Sequence, residues 1–297
     1  MGTPAVGVAA KMAFDTALPF DTSSIPMEFE SCSVKKTGRI IATDGMRGTR
    51  QLIAERSRND GYDVAGTITM AATPLALDSW LPLILGGTES TDVFNLAETL
   101  QSGLVMMDYG TKVFTWAGVH VNKCTFRAQQ GKVLMMSLDI VAKTEAVSAA
   151  GGFPVLTMPV DLPYVLADAV VTEVSAVREV SEIEIVIDNQ MDTARAQNSL
   201  TRTSFPSAGV MITLSTNHPY STDEVALYEQ SVLGTAGTIV FTNASSAGKV
   251  LTFAFANLQA PDIGPDLASK SEIRLPVQYV ARRTAATSAL IVTNANA

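Results

Sequence analysis

The sequence predicts a mainly β chain: two tandem β-sandwich or barrel domains, each with one short α-helix, related by internal duplication. Three observations predict this. Apolar and polar residues alternate in run after run, which is the period of a half-buried strand. Two stretches break that period with a helix-spaced apolar stripe, a cap before it and a glycine after it. Finally, the strand KVFTWAGVHV, starting at Lys112, returns as KVLTFAFANL, starting at Lys249.

Residues 1–24 hold small residues and proline with no sustained period, and read as an N-terminal arm. The first domain follows over 25–150. Its opening run is MEFESCSV at 27–34, with Glu28 and Glu30 on one side and Phe29 on the other. Strands are predicted at 38–43, 64–70, 104–109, 112–121 and 132–143, and YGTK at 109–112 reads as a hairpin turn in which Gly110 takes positive φ. In TPLALDSWLPLILGG, Thr73 can N-cap and Pro74 suits the first helical position. Leu77, Trp80, Leu81 and Ile84 form the stripe, Pro82 is expected to end or kink the helix early, and Gly86-Gly87 stops it.

The second domain, 151–297, repeats the order. SEIEIVID at 181–188 matches the opening strand, with Glu182 and Glu184 on one face, and SAGVMITLST at 207–216 parallels 64–70. In STDEVALYEQSVLG, Ser221 and Glu224 make a capping-box pattern and Val225, Tyr228 and Val232 a stripe. At constant offset Thr73 meets Ser221, Leu77 meets Val225, Trp80 meets Tyr228 and Gly86 meets Gly234. Strands at 237–242, 249–258 and 275–284 complete the copy. Two copies are too few for a solenoid, but two similar domains per chain suit a pseudo-symmetric ring, three chains standing for six domains.

Composition narrows function. The chain has 297 residues, 47% hydrophobic and 17% charged, so each half can bury a core under a weakly charged surface that associates readily. A net charge of −8, with most of the acidic excess in the second half, argues against a nucleic-acid-binding surface. No apolar run is long enough for a membrane helix and no export signal is visible. Two cysteines, Cys32 and Cys124, are too few for a disulfide scaffold or a cysteine metal site.

Catalytic chemistry finds no residues to stand on. His120 lies inside a strand and His218 in a turn, neither beside a recognisable nucleophile. There is no HExxH motif, Cys/His cluster, Walker A loop or dinucleotide fingerprint, so no catalytic residue, metal or cofactor is assigned. Trp80 and Tyr228 read as core rather than as a sugar platform. Two features stand out. One is a pair of long polar segments: 43–60, with Arg47, Arg50, Arg56 and Arg58, and 189–205, with Arg195 and Arg202. Each is either a solvated loop or an ordered contact between chains or rings. The other is the doubled Glu-x-Glu run, Glu28/Glu30 and Glu182/Glu184, either a solvated strand face or a charge-lined channel.

A duplicated β domain with one helix after its first strands, long loops and no catalytic residues resembles the tail tube (major tail) proteins of bacteriophages with long non-contractile tails, tandem-domain type. The resemblance spans roughly 25–297 and lies in the order of elements more than in any motif. It implies a structural virion protein, made in the host cytoplasm, that self-assembles into trimeric rings with pseudo-six-fold symmetry. The rings stack into a tube whose inner strands surround an electronegative channel for DNA ejection. It further implies tape-measure and tail-terminator or tip proteins as partners, DNA passing without specific binding, and no membrane. An acidic channel is sensible physically, because each Lys or Arg on a phosphate adds counterion-release affinity and a conduit must let the duplex slide. A capsid or decoration protein, or a two-domain β-sandwich binding module, are the alternatives.

Overall fold

The alternating runs become strands with their apolar sides packed together. The computed structural model describes residues 7–42, 51, 54–222, 225–230, 234–243, 248–260, 263–265 and 273–296. Along residues 7–149 run β1 (Lys11–Asp15), β2 (Ile25–Met27), β3 (Ser31–Cys32), β4 (Lys35–Ala42), β5 (Ser57–Ala71), α1 (Pro74–Leu85), β6 (Val93–Asn95), β7 (Gly103–Asp108), β8 (Lys112–Gln129), β9 (Met135–Ala142) and β10 (Thr144–Ala149). From residue 169 follow β11 (Ala169–Glu173), β12 (Ala176–Arg178), β13 (Glu182–Asp188), β14 (Met211–Pro219), α2 (Val225–Gln230), β15 (Thr235–Thr242), β16 (Lys249–Gln259), β17 (Arg274–Ala281) and β18 (Leu290–Asn296).

Every strand pairing is antiparallel, and the same order of pairing occurs twice. In the first half β2 pairs with β1, β1 with β7, β7 with β8, and β8 with both β10 and β9; β9 then pairs with β5, and β5 with β3 and β4. In the second half β12 pairs with β11, β11 with β15, β15 with β16, and β16 with both β18 and β17; β17 then pairs with β14, and β14 with β13. Two ladders cross between the halves: β13 runs along β8 from Glu182↔Gln129 to Asp188↔Lys123, and β6 runs along β18. One core cluster draws on both halves, from Phe14, Trp80 and Phe126 to Phe241, Phe253 and Tyr279.

α1 follows its predicted caps. The Thr73 hydroxyl accepts from Ala76 N, Gly86 sits at φ 83°, and its N–H bonds to Pro82 O. Pro82 neither ends nor breaks it; the helix runs on to Leu85, because a proline in the last turn removes a single hydrogen bond from a segment otherwise buried on Leu77, Trp80, Leu81 and Ile84. α2 is described over Val225–Gln230; among its described side chains Leu227 is buried and Val225 is exposed. Glu224 and Val232 lie outside the described residues, as does the side chain of Tyr228.

Three other expectations change. The segment read as an arm contains β1, whose Met12, Ala13 and Phe14 are all buried between β2 and β7. MEFESCSV is not one strand: a bend at Glu30 separates β2 from β3, so that Phe29 and Cys32 both lean on the core. And β8 is far longer than its predicted stretch, pairing with β7 and β10 in its first part and with β9 and β13 in its second. Cys32 and Cys124 are both free.

Candidate functional site

The β8–β13 ladder joins the halves into one sheet, ordered β4–β5–β9–β8–β13–β14–β17. One face of this sheet is apolar and the other polar, because each strand alternates. On β13, Ile183, Ile185 and Ile187 are buried while Glu182, Glu184 and Asp188 stand on the opposite face. A one-residue slip would put three isoleucines in water, roughly 5–9 kcal/mol in all, so the register and the placing of the glutamates are firmly set.

Register lines up the polar face in rows. Thr67 of β5 faces Asp139 of β9, which faces Lys123 of β8, which faces Asp188 of β13. A second row runs from Arg127 through Glu184 and Ser215 to Gln278. The Arg127 guanidinium lies 2.6 Å from Glu182 Oε1 and 3.9 Å from Glu184 Oε2, and Gln129 Nε2 donates to Glu182 at 3.0 Å. Thr67 Oγ1 donates to Asp139 at 2.7 Å. Beside the glutamates the face dips into a trough of about 480 Å³ lined by Ser215, Asn217, Pro276 and Gln278.

Glu28 and Glu30 are both exposed, but the bend at Glu30 takes them out of this pattern. Ser31, paired with Thr69, and Ser33, bonded to Thr67, hold the corresponding places on the polar face. Arg47 and Arg50 lie outside the described residues. Arg56 closes a 3-10 turn and Arg58 is in β5, both exposed. Arg195 bonds to Gln197 within its own loop at 3.1 Å. Arg202 is turned inward: its guanidinium meets Asp63 of β5 at 2.6 Å and donates to Ala194 O. The second long segment therefore touches β5 of its own chain just beyond the first, where Tyr62 N also donates to Leu200 O at 2.9 Å.

The histidines are held in packing and hydrogen bonds. His120 Nδ1 lies 3.0 Å from Gly118 O and its ring packs on Phe205. His218, fully buried, contacts Thr216 Oγ1, Glu179 O and, at 3.2 Å, Glu173 Oε2, to which Tyr279 also donates. Burial and the Glu173 carboxylate push the Tyr279 hydroxyl well above its usual range. Among the described residues no cluster of three His, Cys, Asp or Glu side chains could hold a metal, and no helix is long and apolar enough to cross a membrane.

The described strands are all antiparallel, and the two halves share one sheet that is mainly polar on one face. The family model described as phage tail tube protein matches residues 2–281, and the chain belongs to that family of structural tail components. No curated protein matches it.

Proposed function

We propose that the chain is the repeating subunit of a tail tube, assembled as stacked rings of three chains, and that the polar face of the joined sheet lines the DNA channel. The single observation carrying this reading is the sheet itself: it crosses both halves without a gap and keeps one face mainly polar. At the centre of that face, on β8, β9 and β13, the charged residues are Lys123 and Arg127 against Asp139, Glu182, Glu184 and Asp188, an acidic centre that repels a duplex, while Lys35 and Arg39 of β4 and Arg274 of β17 put cations on its outer strands. The repeated pairing order supports two domains, 25–150 and 151–297, related by duplication, with β1 completing the first. Two quasi-equivalent domains per chain make a pseudo-six-fold ring from three copies. Glu28 and Glu30 belong to the rim of this surface rather than its centre. Tape-measure, terminator and tip proteins would meet the ends of the tube.

Negative-stain microscopy and intact mass of the purified protein test the proposal. Tubes or rings whose mass corresponds to three chains are expected; rings of six chains, or a monomer that never associates at high concentration, would remove it.

A further inference from the structure

The core of the second half contains charge. Glu173 at the end of β11, Arg178 at the end of β12 and His218 near the end of β14 are all buried, as are Thr216 of β14 and Tyr279 of β17. The first half fills the same ground with hydrocarbon. At the offset that sets Thr73 against Ser221, Thr216 and His218 meet Ile68 and Met70 of β5, and Ile140 of β9 pairs along β5 as Tyr279 pairs along β14. Those three apolar side chains are buried too. Buried ionic groups can often be exchanged for apolar ones of similar volume without loss of stability, so packing alone does not call for this network.

Hydrogen-bond chemistry sets where its protons lie. His218 Nδ1 is 3.1 Å from Glu179 O, a carbonyl that can only accept, so Nδ1 carries hydrogen. His218 Nε2 is 3.2 Å from Glu173 Oε2 and 2.8 Å from Thr216 Oγ1. Tyr279 donates to Glu173 Oε2 at 3.0 Å, and the other carboxylate oxygen, Oε1, is buried without a hydrogen-bond partner. With no hydrogen between them, Nε2 and Oε2 would be two acceptors face to face in a dry core, where uncompensated polar atoms are costly. The other charged groups nearby do not fill that place. Arg178 Nε donates to the backbone oxygen of Glu173 at 3.4 Å. Glu179 and Arg274 are exposed, and Arg274 alternates to the opposite side of β17 from Leu275, which pairs with His218.

We propose that His218 carries a second proton, on Nε2 and held against Glu173 Oε2, and that this proton is the catch of a pH-sensitive latch closing the β11–β12 hairpin onto β14 and β17. The hairpin turns at Val174 and Ser175, both at positive φ, so Glu173 stands at its tip. Loss of the proton leaves Nδ1 bonded to Glu179 O, breaks the contact to Glu173 and frees the tip. Because the closed latch holds a proton that is released as pH rises, its contribution to stability is present near neutrality and fades in alkali.

The chain has two histidines, so nitrogen spectra of protein labelled with 15N-histidine resolve both, and His120→Gln assigns them. Expected at about pH 7 is hydrogen on both ring nitrogens of His218. As pH is raised, the Nε2 proton should leave together with a quickening of amide exchange over Val174–Val177, beyond the ordinary rise with pH. Hydrogen on Nδ1 alone at about pH 7, with Thr216 donating to Nε2, overturns the proposal, as does loss of the proton with no change at the hairpin. Independently, Glu173→Gln with His218→Met, the residue at the matching place in β5, removes the catch, and exchange over Val174–Val177 should then follow the ordinary rise alone. Exchange that still quickens as in the parent overturns the latch. Should that pair not fold, the spectra of the parent decide.

Discussion

Gly61 shows how a single residue ties the two halves. Its φ is +110°, and a Cβ there would lie 2.0 Å from Leu200 O, the carbonyl that accepts from Tyr62 N. Any side chain meets both backbone strain and a collision with the second half's long segment. Gly61→Ala is expected to destabilise the fold by about 2 kcal/mol or more, read as a lower denaturant midpoint, and to free the Arg202–Asp63 bridge. Asp78 marks a second tie. It lies on α1 and is hydrogen-bonded by Asn294 of β18, whose amide also donates to Pro74 O. Burial pushes its carboxyl up to about 6, helped by Glu89, Asp92 and Asp161 and opposed by the Asn294 bond. A carboxyl raised in the folded state favours folding when protonated, so its contribution is greatest in acid and fades as pH rises through 6. Melting temperature should therefore rise between pH 7.5 and 5 by more in the parent than in Asp78→Asn; parallel curves would show that Asp78 does not titrate in that window.

Among elements, α1 was the most legible, because capping, stripe and stop are all local. Thr73→Ala removes the side-chain acceptor for Ala76 N and should cost about 1 kcal/mol in chemical denaturation without altering assembly. Most strands were legible for the same reason: one wet face and one dry face write a period of two. β1 was not. Its Met12 and Phe14 enter the main core, while Ala13 packs with Met106 and Val113 on the other side. Buried on both faces, the strand has no alternation to read. The β8–β13 joint was hidden for another reason. Each strand was visible, but which edges meet is a long-range fact, and only the matched runs Cys124–Phe126–Ala128 and Ile183–Ile185–Ile187 hint that they share a core. The Glu28/Glu30 pair looked equivalent to Glu182/Glu184 because the letters repeat, but Glu28 and Glu30 lie in the bent link between β2 and β3, not in a strand.

At the scale of the whole molecule, the two ladders between halves change how a channel face should be tested. Reversing Glu182 and Glu184 to lysine sets two cations against Arg127 across the β8–β13 joint, position 184 directly opposite it and position 182 on the diagonal. Like charges facing one another on neighbouring strands are destabilising, so that variant is expected to loosen the joint as well as alter the channel. Neutral Glu182→Gln with Glu184→Gln separates the effects: an amide oxygen can still accept from Arg127 and Gln129, and no repulsion is added. If these side chains face the DNA path, the double variant should fold, assemble into normal tubes and release DNA more slowly, because the face loses its acidic excess. The difference should shrink as salt is raised, since exposed charges are screened over about 8 Å at physiological ionic strength. If instead they contact a neighbouring chain, folded subunits will fail to build tubes at any salt. Slow, salt-dependent release with intact tubes places the joined sheet around the DNA; assembly failure with native circular dichroism places it at an interface.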